Sequence, residues 1–204
     1  MGICRMKIHS GQQGVALLMA MLFLVIITLI GIASMTGTTL EERMARNYRE
    51  TNIAFQAAEA ALRDAETDMT GGAGVTRAPL ISPADFAAIA AGTCSATGEC
   101  TPATSAPQVW DWNGTTSSML ENTNTSVRYG TYTGKSNFLF PISAQNTETG
   151  YVGVLLPSMG VAKQPRYVVE YLGVSGPNNV YRITAIGYGP TPTTKVILQE
   201  EVLH

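Results

Sequence analysis

From Ser10 to Leu40 the chain carries not one charged side chain, and no other feature limits its fold as much. Within that stretch Val15–Ala33, VALLMAMLFLVIITLIGIA, is apolar apart from Thr28 and Gly31. Its 19 residues match the length needed to cross a hydrocarbon core of about 30 Å as a helix. Twelve of them are Leu, Ile, Val or Phe, which together contribute roughly −4 to −7 kcal/mol to membrane insertion. A surface-packed helix of a globular core would show a polar stripe, and none interrupts this run. A secretory signal has a shorter apolar core and a small-residue cleavage site, and no A-x-A pattern is placed to serve as one. The run reads as a membrane-spanning helix.

Charge sets its direction. Arg5 and Lys7 precede the run, whereas Glu41-Glu42-Arg43 follow it. Basic residues on a short flanking tail favour keeping that tail in the cytoplasm, so the chain beyond the span is expected outside. In an oxidising compartment Cys94 and Cys100, with five residues between them, can close a small disulfide loop worth about 2 kcal/mol. Zinc would want four ligands, and no His lies near enough in sequence to help. Cys4 precedes the membrane. Over the whole chain 13 Lys and Arg stand against 15 Asp and Glu, which lacks the basic footprint of a nucleic-acid binder.

After the span, Glu41–Met69 contains no Pro or Gly and is rich in Ala, Glu, Arg and Leu, all good helix formers. Leu40, Met44, Tyr48, Phe55, Ala58, Leu62, Ala65 and Met69 recur at three, four and seven residues, which predicts one apolar stripe. Glu42–Arg46 and Glu59–Arg63 are acid-before-base pairs on the solvent side. The spacing predicts a single helix from Val15 to Met69, stopped by Gly71-Gly72, with Gly31 and Gly37 as its weak points. The narrow, alanine-rich stripe suits packing against a sheet of the same chain better than a coiled-coil stalk.

Further on, Ser82–Gly92 reads as a short helix, with Ser82 as cap and Pro83 in the first turn. Strand signals rich in Val, Ile, Tyr and Thr occupy Val127–Thr133, Tyr151–Leu156, Arg166–Val174, Tyr181–Ile186 and Thr194–Val202. Closely spaced strands suggest an antiparallel sheet. A helix first and strands later gives an α+β layout, with one sheet face under the helix.

Signs of catalysis are sparse. The two histidines, His9 and His204, stand near the chain ends, which disfavours Ser-His-Asp or Cys-His chemistry, so no enzyme activity, cofactor or metal site is expected. Gly130-Thr-Tyr-Thr-Gly-Lys-Ser136 is close to a phosphate loop but has Tyr129 where a Gly is needed, and reads as a turn. Trp110-Asp111-Trp112 reads as packing residues more readily than as a sugar platform. Asp85, Glu99, Glu121 and Glu148 show no calcium-loop spacing and read as solvated surface.

The leader MGICRMKIHSGQQG followed by the apolar run resembles a type IV prepilin, and TTLEERMARNYRETNIAFQAAEAALRDAE, Thr38–Glu66, is similar to the N-terminal signature of PilX-type minor pilins. Tyr181–Leu203 is similar to the closing strands of that family. The resemblance implies a type IV pilin-like fold, a long N-terminal helix packed on a C-terminal antiparallel sheet. It divides the chain into a leader, residues 1–14, a transmembrane part, 15–39, an amphipathic extension, 40–70, and a β-rich region, 71–204. It implies leader cleavage between Gly14 and Val15 by the prepilin peptidase, N-methylation of Val15, and a subunit that helps prime the pilus near its tip. The implied partners are other minor pilins, the major pilin, the inner-membrane assembly platform and membrane lipid; the implied roles are in motility and adhesion.

One position departs from the general pilin pattern. Met19, the fifth residue after the implied cut, stands where most pilins carry Glu. A carboxylate in lipid is costly and drives a subunit to find a neutralising amine. Met19 has no such need, which fits a subunit at the tip and fits a better anchor equally well. A membrane-anchored receptor or adhesin outside any filament, and a type II secretion pseudopilin, remain the alternatives.

Overall fold

The computed structural model describes residues 13–102, 108–109, 118–135 and 160–204. Most of the leader with Cys4, the strand expected at Tyr151–Leu156, the Trp110–Trp112 segment and Glu148 lie outside the described residues. The first helix, α1, runs over Gln13–Thr70. It contributes to two compact units, Met1–Asn47 and Tyr48–His204. In the first unit the helix carries the apolar run.

The second unit is a sheet with a helix on one face. Its strands are β1 (Thr93–Cys94), β2 (Glu99–Thr101), β3 (Val127–Arg128), β4 (Arg166–Ser175), β5 (Asn178–Tyr188) and β6 (Lys195–Leu203). They lie in the order β1-β2-β4-β5-β6, with β3 also paired to β4. The hairpins β4–β5 and β5–β6 are antiparallel, in registers such as Val169↔Ile183 and Thr184↔Gln199. One pairing departs from an all-antiparallel sheet: β2 runs parallel to β4 through Glu99↔Val169 and Cys100↔Glu170. The β1–β2 turn is closed by the Cys94–Cys100 disulfide, and the Val169 amide of β4 donates to the Gly98 carbonyl in that turn at 2.9 Å.

Alternation along β4 and β5 gives the sheet two buried faces. Tyr167, Val169, Tyr181, Ile183 and Ala185 share a cluster with Ala61, Leu62, Ala65 and Met69 of α1. Phe86 joins it, its ring 5.9 Å from Tyr171 and 5.8 Å from Tyr181. On the opposite face Val168, Ile186 and Tyr188 pack with Cys100, Val109 and Leu120. The α+β expectation therefore stands, with a second core behind the sheet.

The helix stripe needs correcting in its first half. Ala58, Leu62, Ala65 and Met69 are buried as expected, whereas Leu40, Met44, Tyr48 and Phe55 are exposed, and the buried face runs instead through Glu50, Ala54, Ala57, Ala61, Asp64 and Asp68. Two adjoining stripes are consistent with the same 3.6-residue period. The sheet selects the one with small residues because the backbones come close: a Cβ on Gly187 would stand 2.1 Å from the Ala54 carbonyl oxygen.

Two other elements are shorter than expected. The segment after Ser82 makes only a 3₁₀ turn, Pro83–Phe86, capped by Ser82 with Asp85 completing a capping box. Beyond it the chain continues in i→i−3 bonds, Ile89 to Phe86 and Thr93 to Ala90, the tighter pattern of short 3₁₀ pieces. The strand expected over Val127–Thr133 pairs only at Val127 and Arg128. Gly130 and Gly134 then take positive φ, 77° and 70°, and turn the chain away from the ladder.

Candidate assembly and contact surfaces

In the first unit every Leu, Ile, Val, Phe and Met from Val15 to Ile32 is between 43% and 71% exposed. A helix apolar on all sides is stable only inside a protein core or a membrane, and nothing in the described chain covers this one. The hydroxyls of Thr28 and of Ser34, just beyond the run, make no demand on lipid. Thr28 donates to the Val25 carbonyl at 2.8 Å and Ser34 to the Ile30 carbonyl at 3.0 Å, so both are satisfied within the helix. Gly14 and Val15 lie in the first turn of α1, Val15 exposed and Met19 exposed four residues on. A Cβ added at Gly14 or Gly31 would meet nothing within 4 Å.

In the second unit the helix is fastened to the sheet by buried carboxylates. Asp68, fully buried, accepts from the Tyr167 hydroxyl at 2.6 Å and from Arg77 Nε at 2.7 Å, with Arg77 Nη2 closing a second contact. The same guanidinium donates through Nη1 to Glu99 at 2.6 Å and to the Thr97 carbonyl at 2.8 Å, and lies over the Tyr132 ring at 4.2 Å. Arg77 thus ties α1, β2 and the turn around residue 132 through one planar fork. Burial works against its charge, but Asp68 and Glu99 more than offset it and hold its pKa above the ordinary value. Burial and then Asp68 push the Tyr167 hydroxyl well above its usual range, so it stays a proton donor.

Asp64, also fully buried, accepts from the Gly130 amide at 2.7 Å and from the Thr133 hydroxyl, with Lys135 Nζ at 3.3 Å. This is the turn with the near-phosphate-loop sequence. It wraps a carboxylate of its own chain, a chemical reason for the Gly-Lys pattern without any nucleotide. Of the acids expected at the surface, Glu99 is buried against Arg77, and Glu121 is held by Lys195 at 3.1 Å and the Tyr188 hydroxyl at 3.3 Å. Periodicity shows neither partner, since each lies far off in sequence.

Glu200 on β6 faces Glu66 on α1. Burial, and then the charge of Glu66 and a hydrogen bond with it, raise the Glu200 pKa. A carboxyl whose folded pKa lies above its unfolded value favours the fold when protonated, so this pair costs stability near neutral pH and the cost fades as pH falls through the raised pKa. Glu200→Gln is therefore expected to raise the melting temperature at pH 7 and to leave it unchanged near pH 4. Equal gains at both pH values, read by thermal melts, would remove the pair from the account.

Among the described residues no group of three or more His, Cys, Asp or Glu is placed to hold a metal ion. Cys94 and Cys100 are joined. Exposed Tyr48 and Phe55, seven residues apart on α1, leave an aromatic edge on the second unit's helix.

Two family models match the chain. Residues 13–63 match the PilX N-terminal family, and residues 90–204 match the family described as type IV pilus assembly protein PilX, C-terminal. No curated protein and no solved structure matches.

Proposed function

This chain belongs to the PilX family of type IV pilus assembly proteins, and from that premise we propose that it is a minor pilin, a non-enzymatic subunit that helps to start filament growth. The observation that carries the reading is a helix apolar on every side that continues, within α1, into the segment packed on the sheet. Such a helix serves two environments in turn. It is soluble in lipid before assembly, and it packs against other apolar helices once subunits leave the membrane, where close packing replaces lipid contacts.

In this reading residues 1–14 are a leader on the cytoplasmic side, 15–39 span the inner membrane, 40–70 extend the helix, and 71–204 form the periplasmic region. The prepilin peptidase cuts after Gly14 and methylates Val15. Met19, lacking a charge to neutralise, suits a subunit near the tip with no partner amine ahead of it. Other minor pilins, the major pilin and the inner-membrane platform are the partners that bring it into the filament.

Intact mass of the membrane-extracted chain tests this, taken from cells with and without the peptidase. Loss of residues 1–14 with one methyl on Val15, seen only with the enzyme, is the expected outcome. An uncut chain in both strains would favour a membrane-anchored receptor instead. Met19→Glu is expected to lower the number of pili per cell; unchanged numbers would count against the tip position.

A further inference from the structure

Behind β3 the second unit has a cleft of about 580 Å³ whose lining includes Arg128, Lys163, Arg166, Glu121 and Thr131. The charges there are unequal in their duties. Arg166 is part of the wall: its Nε donates to the Ser126 hydroxyl at 2.7 Å and its Nη2 to the Ser126 carbonyl at 2.9 Å. Glu121 is turned to Lys195 and Tyr188. Arg128 and Lys163 are half-buried, and neither has an ion pair among the described residues. Among the described residues Lys163 has the Tyr188 ring, 5.4 Å away.

A cation withdrawn from water without an anion is unfavourable, and one that gains a hydrogen-bonded carboxylate is relieved of that cost. We propose that this cleft receives an acidic segment of another pilus subunit, with Arg128 and Lys163 gripping its carboxylate. The proposal rests on the pilin reading. A polypeptide carboxylate is favoured over a polyanion because the chain as a whole is negative, at −2. Long-range repulsion therefore opposes nucleic acid, while two inset cations still select a local anion at short range.

The test places a photoreactive benzoylphenylalanine at exposed Thr131, on the cleft rim, in the full chain inside piliated cells. The expected product is an adduct with another pilus subunit, mapped by mass spectrometry to within a few residues of an Asp or Glu. Its yield should fall at least tenfold in Arg128→Glu/Lys163→Glu and in Arg128→Gln/Lys163→Gln, and persist in Arg128→Lys/Lys163→Arg. Equal yield in all variants, adducts only with lipid or nucleic acid, or no adduct would overturn it. Protease resistance of each variant shows whether it folds, and the conservative variant carries the comparison if the others do not. Leader removal is read from the same extracts: a cut chain without an adduct sinks the cleft alone, whereas an uncut chain sinks the pilin reading.

Discussion

Gly187→Ala is expected to destabilise the second unit by about 3 kcal/mol or more, beyond the usual cost of an added methylene in a core. The new Cβ would stand 2.1 Å from the Ala54 carbonyl oxygen, 2.3 Å from the Ala58 nitrogen and 2.9 Å from the Ala58 Cα. All three are backbone atoms of α1, so no rotamer change relieves the overlap and the helix itself must lift. Lifting it opens the interface of Ala54, Ala57, Ala58 and Ala61, which are fully buried and too short to follow a retreating sheet. Gly189→Ala gives a graded comparison. Its nearest backbone contact is the Glu50 oxygen at 2.9 Å, and the other neighbours belong to the Thr194 side chain, so the loss should be clearly smaller. Near-ultraviolet circular dichroism of the detergent-solubilised chain against urea would report both. Equal stability of Gly187→Ala and the parent would mean that the helix does not lie this close.

The second large effect belongs to Arg77. Arg77→Ala leaves Asp68, fully buried, and Glu99, nearly so, without their shared cation. Removing one partner of a buried ion pair costs about 3–5 kcal/mol, mostly through the charge left behind. Asp68→Ala should cost less, because the guanidinium keeps Glu99 and the Thr97 carbonyl and the Tyr167 hydroxyl is the group left without its acceptor. The double variant Asp68→Ala/Arg77→Ala should lose less than the sum of the two by at least about 1 kcal/mol, since each single change already breaks the same contact. Urea midpoints of the four proteins give the cycle directly. Strict additivity would show that Asp68 and Arg77 act independently.

These two sites differ in how far the sequence announces them. Gly187 lies one residue past the strand expected over Tyr181–Ile186; β5 continues through it to Tyr188, and a Gly inside a strand is a standard sign of a close backbone approach. Which backbone approaches it is a matter of the fold. Arg77, Asp68 and Glu99 gave no such sign. Asp68 lies on a helix with other acids, and Glu99 stands in a polar turn where a solvated surface is the natural reading. Their meeting depends on the chain after Thr70 folding back to bring Arg77 between α1 and β2. The apolar stripe illustrates the same limit. Two faces of α1 share the helical period over its middle part, one with Tyr48 and Phe55 and one with Ala54, Ala57 and Ala61. The larger side chains carry the stronger hydrophobic signal, yet the alanine face is the one that fits where Gly187, near the end of β5, brings the sheet backbone against the helix.

What the sequence determined alone was the membrane-competent helix, its amphipathic continuation and the strands that became β4, β5 and β6. Each is a property of one contiguous run, in which apolar length or alternation acts residue by residue and needs no distant partner. The tertiary structure decided which helix face is buried, the parallel pairing of β2, the second core behind the sheet, and the carboxylates that hold α1. Those features depend on groups far apart in sequence, 99 residues between Asp68 and Tyr167 and 144 between Glu50 and Thr194. A buried charge is tolerated only where the partner arrives, and that arrival is set by the packing of the whole unit.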